Sequence, residues 1–456
     1  MGKVRRPSAR MAVSAQRFLA RRMEHAVVRR DVSMDDDPMR AQRRALGVGC
    51  VLMAIAVAAS AVLAFVRPQG NPSDGPILLA RESGALYVRI GTVLHPVLNL
   101  ASARLIAGAN ATPVVVSERV LAGVEKGVRV GIPGAPASIG VALTQPQWTI
   151  CDGERTVVSI GAPVPAMDSS DVVLVAPRGG PAADTYLLFD GWRARVDLRE
   201  RAVVRALGLE DAEPQQVSPA LLDTVPEVPA VSAPPIPAAG TPGPAPLRGI
   251  HVGSVVRVAR AEGDELFVVL ADGVQRVGPL AADVIRYAHG GADEIVGVPP
   301  AVLAEVPVVR ELPVDTFPNR APSDRGAGFF CAQWHSEPAG AGRSNVTVLL
   351  GGSRNLGPVT PLGQADGAGP RIDGVVLPGG RSAYVRTAPS AGDDGTSGTR
   401  FLVTDAGTAF GIPDDDTAAH LGIGSSPTAA PWAIVGRLPI GPELSTAAAS
   451  VVEATP

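Results

Sequence analysis

Residues 266–277 read Leu-Phe-Val-Val-Leu-Ala-Asp-Gly-Val-Gln-Arg-Val, which is an apolar run, an Asp-Gly pair and a second apolar run. Glycine supplies the positive φ that a tight turn requires, so this stretch predicts a β-hairpin. A short helical pattern follows at 281–287. The stretch therefore predicts a unit made of a hairpin and a helix.

The same pattern occurs three more times, which predicts four divergent repeats. The predicted hairpins turn at Gly91, Gly191, Gly273 and Gly407. Helical patterns follow at 101–107, 202–209, 281–287 and 417–421, and matching tails close three units at 219–226, 300–307 and 432–439. Look-alike hairpins in any β-rich chain are the alternative. The tail recurs in phase with the hairpin, which favours a true repeat.

One apolar segment precedes the repeats, at residues 45–66, and it carries no charge over 22 residues. At about 1.5 Å per residue it is long enough to cross a hydrocarbon core of about 30 Å. Arg40, Arg43 and Arg44 precede it and Arg67 follows it, so the positive-inside rule places the N-terminus in the cytoplasm and the rest outside. A cleaved signal peptide is the alternative, but 44 residues are too long for its basic region.

The cytoplasmic segment contains an amphipathic helical pattern over 11–30, with apolar residues on one face and arginines around it. Two uses compete for this helix. It could dock to the cytoplasmic domain of a partner, or it could lie on anionic lipid. We favour docking, through Arg17, Phe18, Leu19, Arg21, Arg22, Met23, Arg29 and Arg30.

A separate β domain is predicted between the repeats, built from the stretches 112–180 and 310–382. Each stretch holds one of the two cysteines outside the membrane, Cys151 and Cys331. Disulfides persist outside the cytoplasm, so we expect the two to be bonded, with two buried free thiols as the alternative. The strand candidates are 114–116, 157–160, 172–175, 346–350 and 375–377.

Composition predicts a mainly β fold with short helices (α+β), because aromatic residues are 4% and the chain holds 51 Gly and 43 Pro. Eight prolines within 225–247 favour an extended linker, with a ligand for a groove as the alternative. The predicted regions are a cytoplasmic segment 1–44, a transmembrane helix 45–66, repeat units over 67–111, 181–247 (with the linker), 248–309 and 383–445, the two β-domain halves at 112–180 and 310–382, and a tail 446–456.

Catalytic motifs are missing from the sequence. No Gly-x-x-x-x-Gly-Lys-Ser/Thr phosphate loop, His-Glu-x-x-His pair, Cys-x-x-Cys pair or Gly-x-Ser-x-Gly elbow occurs. We therefore expect no metal site and no cofactor, and we assign no catalytic residue. Residues 414–416 are three aspartates, which favour a solvated turn before a helix over a calcium site.

Several long blocks resemble the EccB family of type VII (ESX) secretion systems. They are residues 16–31, 37–40, 43–46, 67–70, 84–91, 94–107 and 131–136. The order of span, four repeats, split central domain and two external cysteines also resembles that family over nearly the whole chain.

The resemblance implies a structural subunit of the secretion complex in the inner membrane, with its bulk in the periplasm of a mycobacterium or relative. Implied partners are the FtsK-like motor ATPase EccC, the multi-spanning EccD, EccE and further EccB copies, and no nucleic acid. The repeats resemble a phage-lysin cell-wall-binding fold, so peptidoglycan binding is one alternative function. ATP hydrolysis, proposed for the family and unsupported by any motif here, is the other.

Overall fold

The computed structural model describes residues 9–30, 38–66, 75–161, 172–181, 183–289, 295–322, 329–336, 344–350, 356–390, 398–424 and 426–452. Two compact units make up the chain, residues 1–69 and residues 70–456. Arg67, one of the charges that orient the span, lies outside the described residues.

The N-terminal unit consists of two helices, α1 (Ala9–Arg29) and α2 (Pro38–Val66). Helix α2 contains the predicted span but begins earlier, because Pro38 suits a first helical turn and the polar residues after it continue the helix. Within the described residues, one helix is long and apolar enough to cross a membrane, over Gln42–Val62 with a mean hydropathy of 2.4. The amphipathic α1 buries none of its residues.

Four repeats with one topology dominate the second unit. Repeat 1 comprises β1 (Ile77–Ala80), β2 (Leu86–Ile90), β3 (Val93–Val97), α3 (Leu100–Ala107), β4 (Val114–Val116) and α4 (Glu118–Leu121). A short strand β5 (Val141–Ala142) and the central strands β6 (Trp148–Asp152) and β7 (Thr156–Ile160) follow it. Repeat 2 comprises β8 (Val173–Pro177), β9 (Tyr186–Phe189), β10 (Trp192–Val196), α5 (Arg201–Leu207), β11 (Gln215–Val217) and α6 (Pro219–Thr224), followed by β12 (Glu227–Val231).

The second half of the unit follows the same plan, with central strands again lying between two repeats. Repeat 3 comprises β13 (Val255–Arg260), β14 (Gly263–Val269), β15 (Val274–Val277), α7 (Pro279–Ala288), β16 (Val296–Gly297) and α8 (Pro300–Leu303). The central strands β17 (Phe330–Ser336), β18 (Ser344–Leu350), β19 (Thr360–Pro361) and β20 (Gly374–Val376) come next. Repeat 4 comprises β21 (Arg381–Ala388), β22 (Arg400–Thr404), β23 (Ala409–Ile412), α9 (Asp415–Leu421), β24 (Thr428–Pro431) and α10 (Trp432–Val435), followed by α11 (Thr446–Ala449).

Each repeat sheet has the strand order third, second, first, fourth. The first three strands are antiparallel neighbours, and the fourth pairs in parallel with the first. A parallel return requires a crossover connection, and the helix between the third and fourth strands supplies it. The hairpin-helix pattern in the sequence is therefore the first part of a larger unit whose fourth strand has only two to four residues.

The central sheet is built from both predicted stretches, in the order β18-β17-β6-β7-β20-β19. Two strand candidates placed in this domain belong instead to repeats, and that placement was wrong. Residues 114–116 are the fourth strand of repeat 1, and residues 173–175 open repeat 2. A short run of valines predicts a buried strand but does not indicate which strand it pairs with. The pattern therefore fits either sheet.

The segment 225–247 is packed against the protein, in contrast to the predicted linker. Strand β12 pairs in parallel with β10, and Val231, Ile236 and Leu247 are buried. Proline is tolerated on an edge strand, where its missing N–H faces away from the ladder. The proline count alone could not distinguish this edge from a spacer.

The repeats form two pairs, each with a shared core. Helix α5 of repeat 2 packs against α7 of repeat 3, and α3 of repeat 1 packs against α9 of repeat 4 and against α11. The segment that follows each repeat crosses to its partner, so that Leu312 after repeat 3 and Ile132 after repeat 1 lie in the shared cores. The central sheet receives α6 of repeat 2 and α10 of repeat 4 in a third core.

Candidate interaction surfaces

The predicted turn glycines serve two different purposes. Gly91, Gly191 and Gly407 have φ values of 62°, 80° and 75°, which favour glycine at a tight turn. Gly273 does not have a positive φ, so the prediction that this turn needs glycine for its φ was wrong. A Cβ there would overlap the carbonyl oxygen of Pro307, and close backbone approach is what requires glycine.

Two of these turns also pack against the central sheet. A Cβ on Gly191 would overlap the carbonyl oxygen of Val346, and a Cβ on Gly407 would press on Val375. The turns of repeats 2 and 4 are thus contact points with the sheet between them.

The recurring tails in the sequence contain the short helices α6, α8 and α10, and each tail ends at the first residue of a tail strand that closes its repeat. We define the four tail strands as residues 125–128, 226–229, 307–310 and 439–442. The first residue of each accepts a hydrogen bond from the third strand of its repeat, at 3.0, 2.9, 2.8 and 2.9 Å from the N–H groups of Leu94, Arg193, Val274 and Ala409. The sequence revealed three tails and missed that of repeat 1, because Glu125 stands where the others have proline.

Cys151 and Cys331 are bonded to each other and fully buried. They face each other in register on β6 and β17, which are adjacent strands of the central sheet. The bond therefore joins the two chain stretches that form this sheet.

A buried carboxyl lies beside the disulfide and contacts repeat 2. Asp152 is fully buried, and its Oδ2 accepts a hydrogen bond from the N–H of Ser218, the N-cap residue of α6. Its Oδ1 has no hydrogen-bond partner within the described residues. Burial raises the pKa of the Asp152 carboxyl, against the smaller opposing effects of the Ser218 N–H and the charge of Arg178.

Asp223 connects repeats 2 and 4 at the surface. On α6, it pairs with Arg193 at 3.3 Å and with Arg437, which follows α10. Its carbonyl oxygen also accepts a hydrogen bond from Ser390 at 2.9 Å. Because its side chain is 42% exposed, each ion pair contributes modestly.

Two buried amides hold the crossing segments in place. Gln275 of repeat 3 donates to the Leu312 carbonyl oxygen and accepts from the N–H groups of Glu311 and Leu312, each at 2.8 Å. Asn99 caps α3 by accepting from Ser102 at 2.9 Å and donates to the Ile132 carbonyl oxygen at 2.8 Å.

The predicted docking residues are exposed on or next to α1. Seven of them lie within the helix and Arg30 follows it, and Phe18 alone of the eight is half-buried. The helix therefore leaves both an apolar face and a basic face exposed. The residues are Arg17, Phe18, Leu19, Arg21, Arg22, Met23, Arg29 and Arg30.

No group of His, Cys, Asp or Glu that could hold a metal ion occurs among the described residues. Of the aromatics on the repeats, Tyr186 and Phe267 are buried and Trp192 is 41% exposed. Trp432, which the sequence did not single out, is 53% exposed and stacks on Phe401 with 6.2 Å between ring centroids.

Curated proteins of similar sequence are secretion-system components by name. The ESX-3 secretion system ATPase EccB3 of Mycolicibacterium smegmatis is 34% identical over 96% of this chain and 89% of the relative. The ESX-5 secretion system ATPase EccB5 of Mycobacterium tuberculosis is 34% identical over 97% of this chain and 93% of the relative. The word ATPase in these names describes the relatives.

Solved structures similar to this chain are also parts of ESX secretion complexes. A chain of the intact ESX-5 inner membrane complex matches with a TM-score of 0.72 and 33% identity, covering 100% of this chain and 97% of that one. The EccB3 dimer from the ESX-3 core complex matches with a TM-score of 0.71 and 33% identity, covering 83% of this chain and all of that one. The family described as type VII secretion system ESX-1, transport TM domain B, matches residues 5–456. The chain belongs to this family, the EccB family.

Proposed function

We propose that this chain is an assembly subunit of a type VII secretion complex in the inner membrane. The observation that carries the proposal is the match to a chain of the intact ESX-5 inner membrane complex over the whole of this chain, including α2. The paired repeats and the central sheet share packed cores, as a scaffold would. We assign it to organising the pore rather than to catalysis.

The orientation we propose has α1 in the cytoplasm and residues 70–456 in the periplasm. Arg43 and Arg44 adjoin the N-terminal side of the span, which supports this direction. Protease treatment of spheroplasts carrying a tag at each end tests it. We expect loss of the C-terminal tag and protection of the N-terminal tag, whereas the reverse pattern would refute the orientation.

The partners we propose are an FtsK-like motor ATPase (EccC), a multi-spanning subunit (EccD), EccE and further copies of this chain. Exposed basic and apolar faces on α1 support docking to a cytoplasmic domain. Mass spectrometry of material that co-purifies with a C-terminally tagged chain from the native host tests the assembly. Recovery of the motor ATPase and the multi-spanning subunit in one large complex supports the proposal, and recovery of the chain alone contradicts it.

Docking through α1 can be separated from assembly in general. Arg21→Glu reverses one charge on the helix, while Arg119→Glu on α4 is a matched single change far along the chain. We expect the α1 variant alone to lose the motor ATPase. Binding to anionic vesicles that falls while the complex persists would instead indicate that α1 lies on lipid.

Contact with cell-wall glycan is a second candidate function, favoured by the exposed Trp432 stacked on Phe401. Sedimentation of the full chain with purified peptidoglycan tests it. Trp432→Ala should abolish co-sedimentation, with Trp192→Ala as the control.

ATP turnover by the purified full chain tests the remaining alternative, a hydrolase.

A further inference from the structure

The four tail strands lie at sheet edges, where a further strand could add. In each, the first residue bonds inward through its carbonyl oxygen. In repeats 1, 3 and 4 the third also bonds inward, through the N–H groups of Gly127, Val309 and Gly441 at 2.9 Å, and β12 pairs in the same register with β10. The backbone N–H and C=O groups of the second and fourth residues therefore point away from the sheet, towards its open edge. These outward residues are Lys126 and Val128, Glu227 and Pro229, Val308 and Arg310, and Ile440 and Pro442.

Three of the four edges are protected from pairing. Repeats 2 and 4 have Pro229 and Pro442 at the second outward position, where no N–H is available. In repeat 1 the carbonyl oxygen of Val128, at the second outward position, is hydrogen-bonded to the His95 ring at 2.9 Å, and Val452 pairs antiparallel with Val130 just beyond the tail strand.

The edge of repeat 3 has neither protection. Val308 and Arg310 both carry an N–H, and neither makes a backbone hydrogen bond within the part of the chain described here. Val308 is 67% exposed, although it is apolar. An exposed apolar edge with free backbone groups is a template for another strand.

A cavity of about 520 Å³ adjoins this edge. Residues 308–310 line it together with the apolar side chains of Leu266, Val277 and Phe317 and with polar residues that include Asp315 and Asn319. The acidic residues of β14 that line it are already paired, Asp264 with Arg257 and Glu265 with Arg260 and Arg276. Arg310 makes no ion pair among the described residues and lies on the edge itself.

We propose that residues 308–310 bind an extended segment of a partner protein, which adds as a strand to the sheet of repeat 3. Backbone groups of Val308 and Arg310 supply the hydrogen bonds, and the cavity accepts one apolar side chain of the segment. An acidic residue of the segment pairs with Arg310 across the strands. This site goes beyond membership of the complex, because it names a surface and the chemistry of the segment that it binds.

Photocrosslinking in the native host tests the site on the full chain. A benzoylphenylalanine replaces Val308, and in a matched control it replaces Ile440 at the protected edge of repeat 4. We expect crosslinks from position 308 to one segment of another protein that carries adjacent apolar and acidic residues. Absence of crosslinks, or crosslinks to a second copy of this chain, would overturn the proposal.

Arg310→Pro supplies the decisive variant, because repeats 2 and 4 already carry proline at this position within the same topology. A synthetic peptide of the crosslinked segment should bind the full-length Arg310→Pro protein about tenfold more weakly than wild type, since one hydrogen bond and one ion pair are lost. Arg310→Ala keeps the N–H and should lose less. Unchanged affinity for Arg310→Pro, with an unchanged unfolding midpoint, would also overturn the proposal.

Discussion

The repeat 1–repeat 4 pair and the repeat 2–repeat 3 pair share one backbone plan but are held together by different side chains. In the first pair, Asn99 caps α3, and Arg104 donates to the carbonyl oxygen of Leu421 at 2.8 Å. In the second, Gln275 makes three hydrogen bonds to the segment after repeat 3. The topology is repeated, whereas the polar contacts that fix each pair are individual.

Attachment to the central sheet differs as well. Helix α6 of repeat 2 is capped by Ser218, whose N–H donates to the buried Asp152. Helix α10 of repeat 4 follows Pro431 and has no side-chain cap. Only the repeat 2–repeat 3 pair is therefore joined to the sheet through this titratable group.

Removing the disulfide should have the largest effect and should not distinguish the pairs. Cys151→Ser with Cys331→Ser opens a connection across 180 residues, and chain entropy predicts a loss of up to about 5 kcal/mol of unfolding free energy. Thermal unfolding of the full chain with and without reductant measures it. Equal unfolding midpoints for the variant and for the unreduced wild type would contradict a stabilising bond.

Gln275→Ala should come next, with a loss of about 3 kcal/mol, because it leaves the buried N–H and carbonyl oxygen of Leu312 and the part-buried N–H of Glu311 unsatisfied. Denaturant unfolding of the full chain measures the change. Gln216→Ala is the control, since that residue is an exposed glutamine on a strand of repeat 2. A loss as small as the control's would show that water or rearrangement replaces the three bonds.

Asn99→Ala is the matched change in the other pair, with a smaller expected loss of about 2 kcal/mol for one cap and one hydrogen bond to Ile132. Asn99→Asp separates the two contributions, because aspartate can still cap the helix but cannot donate to the Ile132 carbonyl oxygen. An intermediate unfolding midpoint for Asn99→Asp would confirm the division, and a midpoint equal to that of wild type would remove the Ile132 bond from the account.

Asp152→Asn should change the free energy of unfolding little at neutral pH. Its main effect should be on how the stability depends on pH. Because burial raises the pKa of Asp152 in the folded protein, the folded state binds the proton more tightly than the unfolded state. Wild type should therefore gain stability relative to Asp152→Asn as pH falls through the raised pKa towards the ordinary value of 3.8. Unfolding midpoints of both proteins across this range test the sign, and parallel curves would contradict it.

The sequence predicted the elements whose signal is local. The span needs only an uncharged run, and the hairpins need only an apolar alternation around glycines such as Gly191. Cys151 and Cys331 could be paired because they are the two cysteines outside the membrane segment.

The sequence did not predict which distant strands and repeats pair with each other. The fourth strand of repeat 3 has only two residues, Val296–Gly297, too few for any periodicity. Which repeats pair depends on helix faces far apart in the chain, and nothing near Gln275 indicates that its partner is Leu312. The edge at residues 308–310 could have been found by aligning the four tails, because Arg310 stands where two other tails have proline.

Hydrogen–deuterium exchange of the full chain tests most directly whether the two pairs are held separately. Wild type, Gln275→Ala and Asn99→Ala would be compared peptide by peptide. We predict faster exchange in repeats 2 and 3 for Gln275→Ala and in repeats 1 and 4 for Asn99→Ala, with the opposite pair unchanged each time. Equal acceleration across all four repeats in both variants would contradict the account.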